Sequence, residues 1–166
     1  MPTESERIEL SEHELRQITG YAADCARRVL VVYEQQHADD PRPRAAIDAA
    51  YAFAGGGPRT NALRQSAWAA FKAAGQAASP AAGDAARAAS HAAGAAFLHP
   101  LANAHQVKHI LGAAAHAARV DPGTLEWARH HAPEAVVAVL GRLPVAPPGG
   151  GRVGELMREL DTALRG

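Results

Sequence analysis

Helix-start signals recur along an alanine-rich chain, and this combination constrains the fold most strongly. Roughly a quarter of the residues are alanine and few are β-branched or aromatic, which favours helices over strands. Proline follows a capping residue at Asp40-Pro41, Ser79-Pro80 and Asp121-Pro122, an arrangement that opens helices. The sequence therefore predicts an all-α protein, a compact single-domain bundle of six to eight closely packed helices.

Proline, glycine and polar stretches divide the chain into four predicted segments. They are a polar lead over residues 1–10, a helical domain over 11–143, a Pro/Gly linker over 144–152 and a C-terminal helix over 153–166. Ser11 and Glu14 form an S-x-x-E capping box, so the first helix is expected to begin there and to continue to about residue 36.

Three leucines of the C-terminal helix share one face. Leu156, Leu160 and Leu164 follow the i, i+4, i+8 spacing of an apolar stripe. Such a stripe suits either docking on the body of the same chain or a homodimer contact.

Charge is balanced overall but not along the chain. The formal net charge is zero, which argues against nonspecific binding to nucleic acid. Residues 1–40 carry nine acidic and four basic side chains, whereas residues 41–120 carry two acidic and eight basic ones. The basic middle suits a small anionic ligand or an acidic protein partner, unless the acidic first helix balances it within the chain.

Cysteine content and hydropathy limit the cellular setting. Cys25 is the single cysteine, so no internal disulfide can form, and its place on an apolar helix face predicts an inert core thiol. No apolar run reaches the roughly 18 to 20 residues of a membrane span. The polar, acidic N-terminal residues do not resemble a signal peptide, and a cytoplasmic protein is expected.

The stretch from His99 to Val120 concentrates histidine on one predicted helix. If Pro100 opens a helix that runs to about residue 119, then His105, His109 and His116 fall on one stripe. The same helix carries enough apolar surface to be enclosed by its neighbours. The stripe is therefore expected to line a site or to belong to an unusual core.

A metal ion is one interpretation of the stripe. His105 and His109 are spaced i, i+4, so both rings could reach one transition-metal ion. His116 lies roughly 10 Å further along the helix axis and cannot join them. The glutamate of the zincin pattern H-E-x-x-H is absent, and a metal site would need His91 or Asp84 from the preceding helix. No cofactor other than this ion is predicted.

Catalysis or ligand binding is the second interpretation. His105, His109 and His91 could act as general acid and base, while Arg87 or Lys108 holds an anionic substrate. Further ligand-binding candidates are His116, Asp84 and Trp68. No G-x-S-x-G, P-loop or G-x-G-x-x-G motif is present to name a reaction. The third interpretation is structural, with the histidines hydrogen-bonded between packed helices.

An aromatic pair raises the same question on the third predicted helix. Arg64, Trp68, Phe71 and Gly75 share one face there. Core anchors are the favoured interpretation of Trp68 and Phe71, and a ligand platform is the alternative.

Three blocks resemble a known family. They are AADCA at 22–26, DPRPRAAI at 40–47, and the HPL and QVKHIL segments within 99–111. These blocks resemble the bacterial immunity proteins of the Imm5-like group, and the resemblance covers about residues 12–120. It implies a helical protein that binds and neutralises a partner toxin, and it carries over no site residues. A small-molecule enzyme or ligand-binding protein that uses a histidine-lined cleft remains the alternative.

Overall fold

The structure, a computed structural model, describes residues 6–166, so the first five residues of the predicted lead lie outside it. Over this range the chain is all-α, which confirms the predicted class, and contains no β-strand. The helices are α1 Glu12–Arg27, α2 Leu30–Gln36, α3 Arg42–Ala54, α4 Asn61–Gly75, α5 Pro80–Gly94, α6 Val107–Val120, α7 Gly123–His131, α8 Glu134–Leu140 and α9 Gly151–Arg165. None of them is long and apolar enough to cross a membrane.

The described residues form one helix more than the upper end of the predicted six to eight, because the first predicted helix is broken. The capping box at its start is formed as expected, with Ser11 and Glu14 each accepting from the other's backbone N–H at 3.0 Å. The break falls at Val29, whose φ of −117° and ψ of 0° are not helical. There Arg28 turns towards α7, where it bonds to the Thr124 hydroxyl and lies over the Trp127 ring. This distant contact has no local sequence signal.

Helix α5 is the central helix of the bundle. It packs against α1, α2, α3, α4 and α6, and its core positions are almost all alanine. Alanine adds little beyond the backbone, so five neighbours can approach one helix closely without leaving voids. The predicted adjacency of the two helices that flank His99-Pro100 is confirmed by the packing of α5 on α6.

Helix α6 begins seven residues later than predicted, at Val107 instead of Pro100. Residues 100–102 form an isolated antiparallel bridge with the lead, since Ile8 N–H donates to the Pro100 carbonyl and Ala102 N–H to the Glu6 carbonyl. A 3₁₀ turn at Ala104–Gln106 then leads into the helix. The bridge to the lead satisfies backbone groups that the first helical turn would otherwise leave open, and it removes His105 from α6.

The C-terminal helix docks on the body of its own chain. Leu156 and Leu160 are buried, and α9 packs mainly against α6. The preceding residues 144–150 are anchored, because buried Asp161 accepts from Ala146 N–H and Arg165 donates to the Leu143 and Pro144 carbonyls. Intramolecular docking therefore accounts for the two buried leucines. A homodimer through α9 stays a prediction.

Candidate functional site

A cleft of about 640 Å³ opens where α4, α5 and α6 meet. Its volume lies within the range of about 300–1,000 Å³ that is usual for ligand sites. Aromatic and small side chains make most of the wall, and the only charged side chains in it are basic. The lining residues are Arg64, Ala67, Trp68, Phe71, Ser90, His91, Gly94, Phe97, His99, Lys108 and His109.

The two aromatic residues of α4 are on the surface, so the core-anchor interpretation is wrong. Trp68 is 60% exposed and Phe71 is 50% exposed, and their rings meet edge to face with centroids 5.8 Å apart. The face of α4 that packs into the core consists of Leu63 and alanines. Alanine lets α4 approach the alanine-rich α5 closely, whereas two large rings at the same seam would hold the helices apart. The aromatic face is consequently turned outwards.

Behind the cleft lies a buried polar chain from α5 to α6. Asp84 and His116 are only 6% and 9% exposed, and the Asp84 carboxylate lies 2.9 Å from Nδ1 of His116. Arg119 Nε lies 3.3 Å from the other carboxylate oxygen. The His116 ring stacks on His91, with centroids 5.1 Å apart, and His91 reaches the cleft. The expectation that His91 faces the histidines of the next helix is confirmed.

Gly112 makes room for His91. A Cβ atom at position 112 would lie 2.6 Å from Nδ1 and 2.9 Å from Cγ of the His91 ring. Such distances are well inside van der Waals contact, so only glycine fits there without a shift of the ring.

Two of the three histidines that line the cleft, His91 and His109, are held neutral. Burial lowers the pKa of His91 to about 3, with His116 and nearby cations adding to the effect. Burial and Lys108 lower the pKa of His109 to about 4, against a hydrogen bond to the Gly94 carbonyl that acts in the opposite direction. Burial also lowers the pKa of His116, although Asp84 opposes it. Near neutral pH the cleft therefore presents uncharged imidazoles as donors or acceptors.

His105 is not part of this site. It is exposed and lies in the 3₁₀ turn before α6, where it lines a smaller cleft of about 240 Å³ together with residues 147–150 of the connector. The predicted one-face stripe therefore reduces to His109 and His116, because the helix starts after His105. The proposed metal pair therefore does not lie on one α-helix, and metal binding by His105 and His109 stays a prediction. Among residues 6–166 no group of three or more metal-ligating side chains is assembled.

The other candidates occupy distinct places. Lys108 is exposed between the two clefts, and Trp68 forms an edge of the larger one. Arg87 is half-buried and close enough to His91 and His116 to disfavour their protonation. Cys25 is buried as predicted, and burial raises the pKa of its thiol to about 12.

The sequence did not predict the contacts that Arg64 and Ser90 make at the cleft. The Arg64 guanidinium lies over the Phe97 ring at 4.5 Å, and the Ser90 hydroxyl donates to the Ala67 carbonyl across the α4–α5 seam. A cation and an aromatic ring 33 positions apart carry no local pattern. The helix start at Ser79 and Pro80 predicts which residues of α5 share a face with Ser90, but it does not predict that this face packs on α4.

Comparison with known proteins gives one match. The model of the family described as "Imm-5 like putative immunity protein" matches residues 8–123, a range that contains α1 to α6 and the whole of the larger cleft. Neither the curated proteins nor the solved structures give a match. The chain belongs to the Imm5-like immunity protein family.

Proposed function

We propose that this chain protects its cell by binding a partner toxin stoichiometrically. The observation that carries the proposal is the exposed Trp68–Phe71 pair beside a preformed cleft, inside the part of the chain that matches the family. Large aromatic side chains are enriched among the residues that dominate binding energy at protein interfaces. Exposing two of them together costs solubility, and a binding partner that covers them offsets that cost.

The test is protection from a candidate toxin domain, chosen from the genes that flank this one in its source genome. We expect the toxin to arrest growth of a bacterial host when expressed alone and growth to recover when this chain is coexpressed. The purified proteins should form a one-to-one complex in light scattering. Coexpression with an unrelated toxin domain is the control for a general effect on expression. Arrest that continues despite coexpression, together with two separate species in light scattering, would contradict the proposal.

A small anionic ligand in the larger cleft is the second candidate function. The observation in its favour is that His91 and His109 line one cleft as neutral imidazoles, with Lys108 beside them. Their lowered pKa values make these imidazoles poor general acids or bases near pH 7, so the chemistry that such a site offers is hydrogen bonding to an anion. A thermal-shift screen of aromatic and aliphatic carboxylates and phosphates tests it. Stabilisation that is lost in His109→Gln supports this candidate, and a flat screen argues against it.

Two further expectations concern the setting. The cytoplasmic location stays a prediction of the sequence. The acidic first segment balances the basic middle of the chain in part, since Glu34 pairs with Arg44 and Asp40 with Arg42, while Glu12 and Glu14 pair with Arg16 and Arg142; none of these pairs includes a cation of the cleft. This leaves the charge of the cleft face available to a partner.

A further inference from the structure

Cations on the cleft face lack carboxylate partners within the described chain. Arg64, Lys72, Arg87 and Lys108 make no ion pair and no side-chain hydrogen bond with any of residues 6–166; Arg64 only stacks on Phe97. Nine of the thirteen other cations pair with a carboxylate, for example Arg16 with Glu12, Arg44 with Glu34 and Arg142 with Glu14. The other four, Arg7, Arg27, Arg59 and Arg158, also make no ion pair within residues 6–166, and Arg59 and Arg158 donate to backbone carbonyls instead. Four of the eight cations that make no ion pair within residues 6–166 therefore lie in or beside the cleft.

Two histidines that lie between these cations add no positive or negative charge to the cleft. His91 and His109 are uncharged near pH 7 because burial lowers their pKa. Asp84, the one carboxylate of α5 and α6, is buried and already paired with His116 and Arg119. No acidic side chain lines the cleft. The potential at this face is consequently positive, and a cleft with low-dielectric walls concentrates it.

The positive face extends beyond the cleft along α4. Arg64, Trp68 and Lys72 are exposed and follow at i, i+4 and i+8, so they form one stripe. Lys72 stands outside the cleft wall. A small anion held in the cleft would leave Lys72 and most of the Trp68 ring uncovered, whereas a segment of a protein covers both.

We infer that this face binds an acidic segment of the partner toxin. An apolar side chain of that segment occupies the cleft against Trp68 and Phe71, and carboxylates on either side of it meet Arg64, Lys72 and Lys108. The inference rests on the proposed function, because it names the surface and the chemistry by which the toxin is bound. Charge complementarity of this kind sets the rate and the specificity of association more than the final affinity.

The experiment measures binding of the toxin domain from which this chain protects the host to the wild type and four variants of the full chain, by surface plasmon resonance at low and high salt. Trp68→Ala and Lys108→Glu alter the proposed face. Val137→Ala and Arg129→Glu are matched controls, since both residues are exposed and lie on α8 and α7, which do not pack on α4. Unfolding curves confirm that each variant is folded.

We expect Trp68→Ala to raise Kd about thirty-fold, the effect of losing a hot-spot residue. Lys108→Glu should slow association about ten-fold at low salt and flatten its salt dependence. The controls should remain within about two-fold of the wild type. A toxin that binds all four variants alike overturns the surface and leaves the proposed function standing. A toxin that does not bind the wild-type chain overturns the proposed function and this inference with it. If a small carboxylate alone displaces bound toxin and Trp68→Ala leaves the Kd for the toxin unchanged, the cleft binds a small anion and the proposed protein segment is ruled out.

Discussion

The glycine at position 112 provides a sharp test of the packing behind the cleft. Gly112→Ala places a Cβ atom 2.6–2.9 Å from three atoms of the His91 ring. Because Cγ is among them, rotating the far end of the ring does not relieve the contact. The ring is also confined by its stack on His116, which is itself tied to Asp84. The variant must therefore shift a constrained side chain or separate α5 from α6.

Overpacking of this kind costs about 1–3 kcal/mol, against a helix-propensity gain of about 0.5–1 kcal/mol for replacing glycine with alanine. We expect Gly112→Ala to lower the free energy of unfolding by about 1–2 kcal/mol, or Tm by about 2–8 °C for a chain of this size. Gly94→Ala is the matched control. Its backbone is helical and nothing lies within 4 Å of the added atom, so we expect no loss of stability.

Urea unfolding followed by circular dichroism measures both variants, and an unchanged m-value shows that the same transition is compared. The decisive comparison is Gly112→Ala in a His91→Ala background, because the added Cβ atom then has no imidazole ring to contact. The cost should then disappear or change sign. An equal cost with and without the ring would refute the reasoning, and so would a Gly94→Ala variant that loses as much stability as Gly112→Ala.

Three further predictions follow from the buried groups. The pKa of His109 is lowered from 6.5 to about 4 in the folded chain, so the unfolded chain binds a proton at this residue first as the pH falls. The free energy of unfolding should therefore fall between about pH 6.5 and pH 4. His109→Gln should reduce the slope of the free energy of unfolding against pH by about 1.4 kcal/mol per pH unit, measured by urea titrations at pH 5–6. Asp84→Asn takes the charged partner from His116 and Arg119 and should destabilise the fold by about 1–3 kcal/mol; unchanged urea midpoints would argue against the pairing. Cys25 should resist alkylation in the native protein and react fully in urea, and rapid native labelling would show that it is not buried.

Local rules predicted the helices well wherever a cap or a stop lies in the sequence itself. The Ser11–Glu14 capping box starts α1, Pro80 is the first residue of α5, and α3 ends at the glycine run after Ala54. The start of α6 failed because the segment after His99 pairs with the lead about 95 residues earlier. Proline is compatible with a first helical turn and equally with an extended strand edge, so residue type alone does not choose between them.

The site was harder to predict than the fold, because periodicity shows which residues share a helix face but not where that face points. Trp68 and Phe71 share a face as predicted, yet the alanine face of α4 is the one that packs. Likewise the adjacency of α5 and α6 could be predicted, but the pairing of Asp84 with His116 depends on the register between the helices. Register is set by close packing at positions such as Gly112, which carry no chemical signal.

The most direct test of toxin binding through the cleft face uses the two tryptophans of the chain as reporters. Trp68 is exposed at the cleft, whereas Trp127 lies on α7, stacked on His131 at 4.0 Å and covered by Arg28. Labelling this chain with 5-fluorotryptophan gives one ¹⁹F signal from each, assigned with Trp68→Phe. On addition of unlabelled toxin domain, the Trp68 signal should shift and saturate at one equivalent while the Trp127 signal stays in place. A complex that forms with the Trp68 signal unmoved, or that shifts only Trp127, would contradict binding at this face.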